Sequence, residues 1–175
     1  MTAVAALIFL LMFLSITAEV FAGSFGFVLP FSAMAVFYIS GLYGWRSGIL
    51  AGVVAGALLD LLYGRTLPLT AFPLASVGGF ALLWTVRGSM KSYLMQVLPG
   101  AATGLLISAE IMLYSSGEGG FSGKTFHLSQ ALSIILETAL ITPLFVWAMD
   151  RAAGFFGFEK LCGVKTEITT RTEVK

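Results

Sequence analysis

Four carboxylates sit inside, or near the ends of, long apolar stretches: Glu19, Asp60, Glu110 and Glu137. A charge at bilayer depth costs at least about 2.5–3.5 kcal/mol, so an acid placed there needs a partner, a proton or a wet cavity. Asp60 stands close to Arg65 across the Gly64 turn, which makes a local ion pair the plain structural reading. Glu19 lies near the end of its stretch and is read as reaching the interface. Glu110 and Glu137 are deeper, and for them structural hydrogen bonding and a functional role both stay open. His127, alone in a glycine-rich connection, is read as solvated rather than catalytic.

The other residues that carry chemistry exclude more than they suggest. There is no Gly-x-Ser-x-Gly elbow, no His-Glu-x-x-His and no Gly-x-x-x-x-Gly-Lys phosphate loop. One cysteine, Cys162, forbids an intramolecular disulfide, and with one histidine a Cys- or His-based metal site is not expected. A net charge of +1 argues against electrostatically driven nucleic-acid binding. The expectation is a non-enzymatic protein without a cofactor. An intramembrane hydrolase built on two of the four acids is the one enzymatic route left.

The elements that position these acids follow from composition. Hydrophobic residues make up 58% of the 175-residue chain and charged residues 11%, against about 45–50% and 25% in soluble domains. No single soluble core hides that excess, whereas lipid does. Six apolar blocks, 2–22, 25–43, 48–63, 69–86, 94–115 and 129–149, predict an all-α, polytopic bundle of six transmembrane helices over 1–150. The third block is the shortest, and short for a full span. A disordered cytoplasmic tail is expected over 151–175. Because no Lys or Arg precedes Arg46, the first block reads as a retained helix, not a secretory signal.

Orientation follows from the basic residues. With the N-terminus inside, the cytoplasmic side receives Arg46, Arg87, Lys91, Arg151, Lys160, Lys165, Arg171 and Lys175, and the outer side only Arg65 and Lys124. Both termini are therefore expected in the cytoplasm, and all four acids in the outer half of the membrane, around a polar pocket that opens outward. Trp45 and Trp147 read as interface anchors.

Glycines set how closely the helices approach. Gly44, Gly48, Gly52 and Gly56 recur at every fourth position, and Gly100 and Gly104 repeat the spacing in the fifth block. Lipid gives helices no hydrophobic reason to associate, so small residues that let backbones touch mark the contacts. Gly48, Gly52, Gly56, Gly100 and Gly104 thus form a packing face or a docking face for a partner helix. Each step of four residues turns about 40° around the axis, so the whole run cannot face one neighbour, while Gly52, Gly56 and Asp60 stay on a common side.

The stretch Gly48–Phe72, GILAGVVAGALLDLLYGRTLPLTAF, resembles the signature region of the rod shape-determining MreD family. Gly52, Gly56, Asp60, Leu61, Leu62 and Gly64 fall at the family's spacing. The Ser-Pro-Leu-Gly that often follows is replaced by Arg65, Thr66, Leu67 and Pro68, which changes the turn. Thr142-Pro143-Leu144-Phe145 leading to Asp150-Arg151 is similar to the family's last span and exit. The resemblance implies a scaffold of the bacterial elongasome in the inner membrane, supporting cell shape and lateral peptidoglycan synthesis. Its implied partners are the MreC transmembrane helix and, through it, MreB, RodA and a class B penicillin-binding protein. A second reading comes from the small six-span architecture, which is similar to the substrate-binding subunit of energy-coupling-factor vitamin transporters. There the outer pocket would take a vitamin.

Overall fold

The computed structural model describes residues 2–64, 70–87, 92–117, 128–155, 157 and 160–163. Six α-helices follow one another: α1 (Thr2–Ser24), α2 (Phe31–Tyr43), α3 (Trp45–Leu62), α4 (Ala71–Arg87), α5 (Val97–Gly117) and α6 (Leu128–Phe155), with single 3-10 turns at Tyr93–Gln96 and Leu161–Gly163. No strand occurs among the described residues. Neighbouring helices run antiparallel, so the α1–α2, α3–α4 and α5–α6 connections share one end of the bundle, here the hairpin end. The other end carries the α2–α3 and α4–α5 connections and the C-terminal turn.

Among the described residues, four helical stretches are long and apolar enough to cross a membrane: Ala5–Ser24, Trp45–Leu62, Tyr93–Met112 and Leu128–Phe155. The shortfall lies in α2 and α4, not in the third block, whose helix reaches 18 residues. At 13 residues α2 spans about 20 Å, well short of a hydrocarbon core of about 30 Å. The expected block began at Phe25, but helix starts only at Phe31, because α1 ends in a glycine-stopped turn. Gly26, at φ +84°, donates to the Gly23 carbonyl and Phe27 donates to the Ala22 carbonyl, the double bond that closes a helix on a left-handed glycine. Non-helical chain then runs through Phe27–Leu29 to the helix N-cap, Pro30.

Short as it is, α2 is the centre of the bundle. Ser32 to Ser40 are all buried, and α2 touches α1, α3, α4, α5 and α6. A helix covered on every side needs apolar or small residues all round, which FSAMAVFYIS supplies. Gly44 alone joins α2 to α3, at φ 90° and ψ 160°, a region essentially confined to glycine.

The tightest seams are glycine seams. A Cβ on Gly52 would lie 2.6 Å from the Leu74 carbonyl oxygen, one on Gly56 would run into Ala71 and Thr70, and one on Gly78 would lie 2.7 Å from the carbonyl carbon of Gly48. The same holds for α5 on α6, where a Cβ on Gly100 would lie 2.6 Å from Thr142 Oγ1 and one on Gly104 2.8 Å from Ile135 Cα. Gly48 also admits Ser40 of α2, whose hydroxyl donates to the Gly78 carbonyl at 2.7 Å. All five glycines singled out in the sequence therefore lie in contacts between helices of this chain.

The boundary expected at 150/151 falls inside a helix. α6 continues to Phe155, the chain reverses by Gly157 at φ +74°, and Leu161 packs back at 2% exposure. Its side chain fills the space that a Cβ on Gly41 of α2 would need. Residues 160–163 thus belong to the packed bundle rather than to a disordered tail.

Candidate functional site

Two of the four acids hold the start of the helix that follows them. Glu19 leaves α1 near its C-terminal end and accepts from the Ser32 backbone N–H at 2.9 Å and from the Ser32 hydroxyl at 2.5 Å. Ser32 is the second residue of α2, whose N-cap, Pro30, provides no side-chain bond. The first N–H groups of a helix lack intrahelical acceptors, and the dipole there favours an anion. A carboxylate from α1 thus does what a Ser or Asp cap does elsewhere. Glu19 is only part-exposed and engaged in the bundle, so the expectation that it simply reaches the interface is corrected.

Asp60 repeats the device between α3 and α4. It is 3% exposed and accepts from the Thr70 N–H at 3.0 Å and from the Thr70 hydroxyl at 2.5 Å. Thr70 in turn gives its carbonyl to the Leu74 N–H, the first bond of α4. Asp60 therefore ties the last turn of α3 to the first of α4, continuing the Gly52–Gly56 seam on one side of the helix. Arg65, the neighbour expected to pair with it, lies outside the described residues, as do Lys124 and His127.

Glu110 is buried at 9% exposure and engaged in the bundle. Glu137, about two and a half turns into α6, differs from the rest. It is part-exposed and has no hydrogen-bond or ion-pair partner among the described residues. It borders a cleft of about 450 Å³ at the hairpin end, walled by Phe27, Val28 and Ile111 and edged by Ser129 and Ser133. Of the four acids expected around one outward pocket, Glu137 alone lines this cleft.

Sequence reasoning missed Asp150. It is 1% exposed at the opposite end of α6 and accepts three bonds, from Tyr38 Oη at 2.9 Å, Leu161 N at 2.7 Å and Cys162 N at 3.0 Å. A signal was present: an aspartate in the last turns of a helix opposes the dipole, so it needs donors from elsewhere. Beside it, Trp45 and Trp147 each carry a guanidinium over the ring, Arg46 at 5.5 Å and Arg151 at 5.8 Å. This is the amphipathic pairing expected at a membrane–water boundary.

The Asp150 contact has a chemical readout in Cys162. Burial, and then the Asp150 carboxylate, push the thiol up to about 11, against a smaller opposing effect of the Gln96 side chain. Only the thiolate attacks an electrophile, so Cys162 should react slowly with maleimide at neutral pH. Substituting Asp150→Ala removes the negative charge and the two amide anchors, which lowers the thiol's pKa and exposes it. Alkylation should accelerate about tenfold or more, with the pH profile of the rate shifted to lower pH. An unchanged rate and profile would show that Asp150 does not hold this segment.

Among the described residues no group of three or more His, Cys, Asp or Glu is placed to hold a metal ion. Compared with family models, curated proteins and solved structures, the chain matches none. Fold and site define an all-helical bundle of apolar helices, four of them long enough to cross a membrane.

Proposed function

We propose that this chain is a non-enzymatic inner-membrane scaffold of the bacterial elongasome, similar to MreD, that supports cell shape and lateral peptidoglycan synthesis. The observation that carries the reading is the use of the signature residues. Gly52 and Gly56 seat α4 against α3, and Asp60 locks the resulting hairpin through Thr70. Residues of that pattern shape a rigid hairpin rather than an active centre, as a scaffold requires. On this reading α2 and α4 also span, helped by the chain before them. Both termini are cytoplasmic, and the Arg46–Trp45 and Arg151–Trp147 pairs mark the inner boundary.

Since the glycines are occupied within the bundle, an MreC transmembrane helix would dock elsewhere. The outer face of α1 offers Phe9, Phe13, Leu14 and Phe21, all more than half exposed. MreB, RodA and a class B penicillin-binding protein would be reached through MreC. Deleting the gene should round the cells of its rod-shaped host, and the chain should co-purify with MreC from that host. Reporter fusions after Lys175 and within 118–123 should read cytoplasm and exterior. Rods that persist after deletion, with no MreC in the purified sample, would overturn the scaffold. The opposite fusion pattern would overturn the orientation. The cleft beside Glu137 is the feature that favours the vitamin-transporter reading, in which it would be the substrate chamber.

A further inference from the structure

Of the carboxylates in the described helices, Glu19, Asp60 and Asp150 accept from named donors and Glu110 is engaged, while Glu137 has no partner among the described residues. The rest of the bundle shows that acids at this depth are otherwise matched, so one with no match among the described residues, beside a cleft, points to something that enters. Around Glu137 the surroundings are specific. Ser133 lies one turn before it on the same face of α6, and residues one turn apart stand about 5–6 Å from each other. A hydroxyl oxygen and a carboxylate at that spacing both accept hydrogen bonds from a single ammonium group placed between them. Facing them are apolar walls, Phe27 and Val28 from the non-helical chain before α2 and Ile111 from α5. A volume of about 450 Å³ falls in the range of small-ligand sites, about 300–1,000 Å³.

We propose that this cleft binds an organic ammonium group carried on an apolar body, with Glu137 as its counter-ion and Ser133 as a second acceptor. Two sources have that chemistry: the ethanolamine headgroup of a membrane lipid, and a free amphipathic amine. The cleft lies at the hairpin end beside exposed apolar residues, Phe27 and Val28, and both can reach it. Binding here neither requires a scaffolding role nor conflicts with one, so its failure would leave that reading standing.

The full chain in nanodiscs of phosphatidylglycerol, which has no ammonium group, is titrated with phenethylamine and with its neutral counterpart 2-phenylethanol by calorimetry. Saturable binding of the amine alone is expected, weakened about tenfold or more in Glu137→Gln. Among the described residues Glu137 makes no bond that this change would break, so the variant's unfolding temperature without ligand should match the parent's. Repeating the titration in discs that contain phosphatidylethanolamine separates the sources. Loss of phenethylamine binding there assigns the cleft to the lipid headgroup, and unchanged binding assigns it to a free amine. Equal binding of 2-phenylethanol, or amine binding that Glu137→Gln leaves intact, overturns the proposal, as does no binding in phosphatidylglycerol discs. Should Glu137→Gln fail to insert, Ser133→Leu, which blocks the cleft from an exposed position, must abolish the same titration.

Discussion

Replacing Gly56 with leucine should take the α3–α4 hairpin apart. A Cβ there meets the backbone of Ala71 and Thr70, and no side-chain rotation relieves a collision with backbone. Extra methylenes forced into a packed interior cost about 1–3 kcal/mol, and more where the main chain must move. Gly56→Ala should therefore already cost about 1–3 kcal/mol, and Gly56→Leu more than about 3 kcal/mol. Gly52, against the Leu74 carbonyl, should behave alike. Gly79 supplies the control, since a Cβ there meets nothing within 4 Å. Gly79→Ala should be neutral or gain up to about 1 kcal/mol from helix propensity. Thermal unfolding of a fluorescent fusion in mild detergent reads all of these variants. A folded Gly56→Leu bundle that had lost only its partner would instead make the glycines a docking face.

The Asp60→Leu variant should fail nearly as badly, for a polar reason. It strips the Thr70 N–H and hydroxyl of their acceptor in a buried position. Hydrogen bonds to a charged group contribute about 1.5–3 kcal/mol each, and a buried donor left unpaired costs a similar amount. A loss of about 3 kcal/mol or more is expected. Asp60→Asn keeps the shape and one carbonyl acceptor, so it should cost about half as much and largely preserve rod shape in the host. A double-mutant cycle with Thr70→Val isolates the pair, and a coupling energy near zero would remove the staple from the account. An Asn variant that folds and inserts yet is as inactive as Leu would show that the charge itself is needed. That outcome would move the reading from scaffold to a cation or proton pathway.

Glu19 and Asp60 have a common logic. A helix that begins within or beside a membrane has few waters to satisfy its first N–H groups, and an unpaired one costs several kcal/mol. An acid on the preceding helix solves this across the connection, with the dipole adding to the bond. In both cases the acceptor lies late in the outgoing helix and the donor at the start of the returning one, which fixes the hairpin's register as well as its end.

The amino-acid sequence by itself determined that the chain is helical and apolar in blocks, that its helices meet through small residues, and that its acids need partners. These are properties of composition and short-range spacing, and they hold whatever the packing. The glycine positions were legible because close approach depends on residue size alone. Partner choice was not legible, because it depends on which helix ends meet in space. Ser32 finds Glu19 only once α2 folds back along α1, and Asp150 finds Tyr38 only because α2 and α6 run side by side. Nor could spacing say which face of each helix meets lipid and which meets protein. In water the two faces differ in polarity, and the pattern gives them away. In a membrane both are apolar, so Phe13 on the open side of α1 and Phe37 at the buried centre of α2 look alike in sequence. Only the tertiary arrangement separates them, and only it leaves Glu137 beside a cleft while its fellow carboxylates are bound.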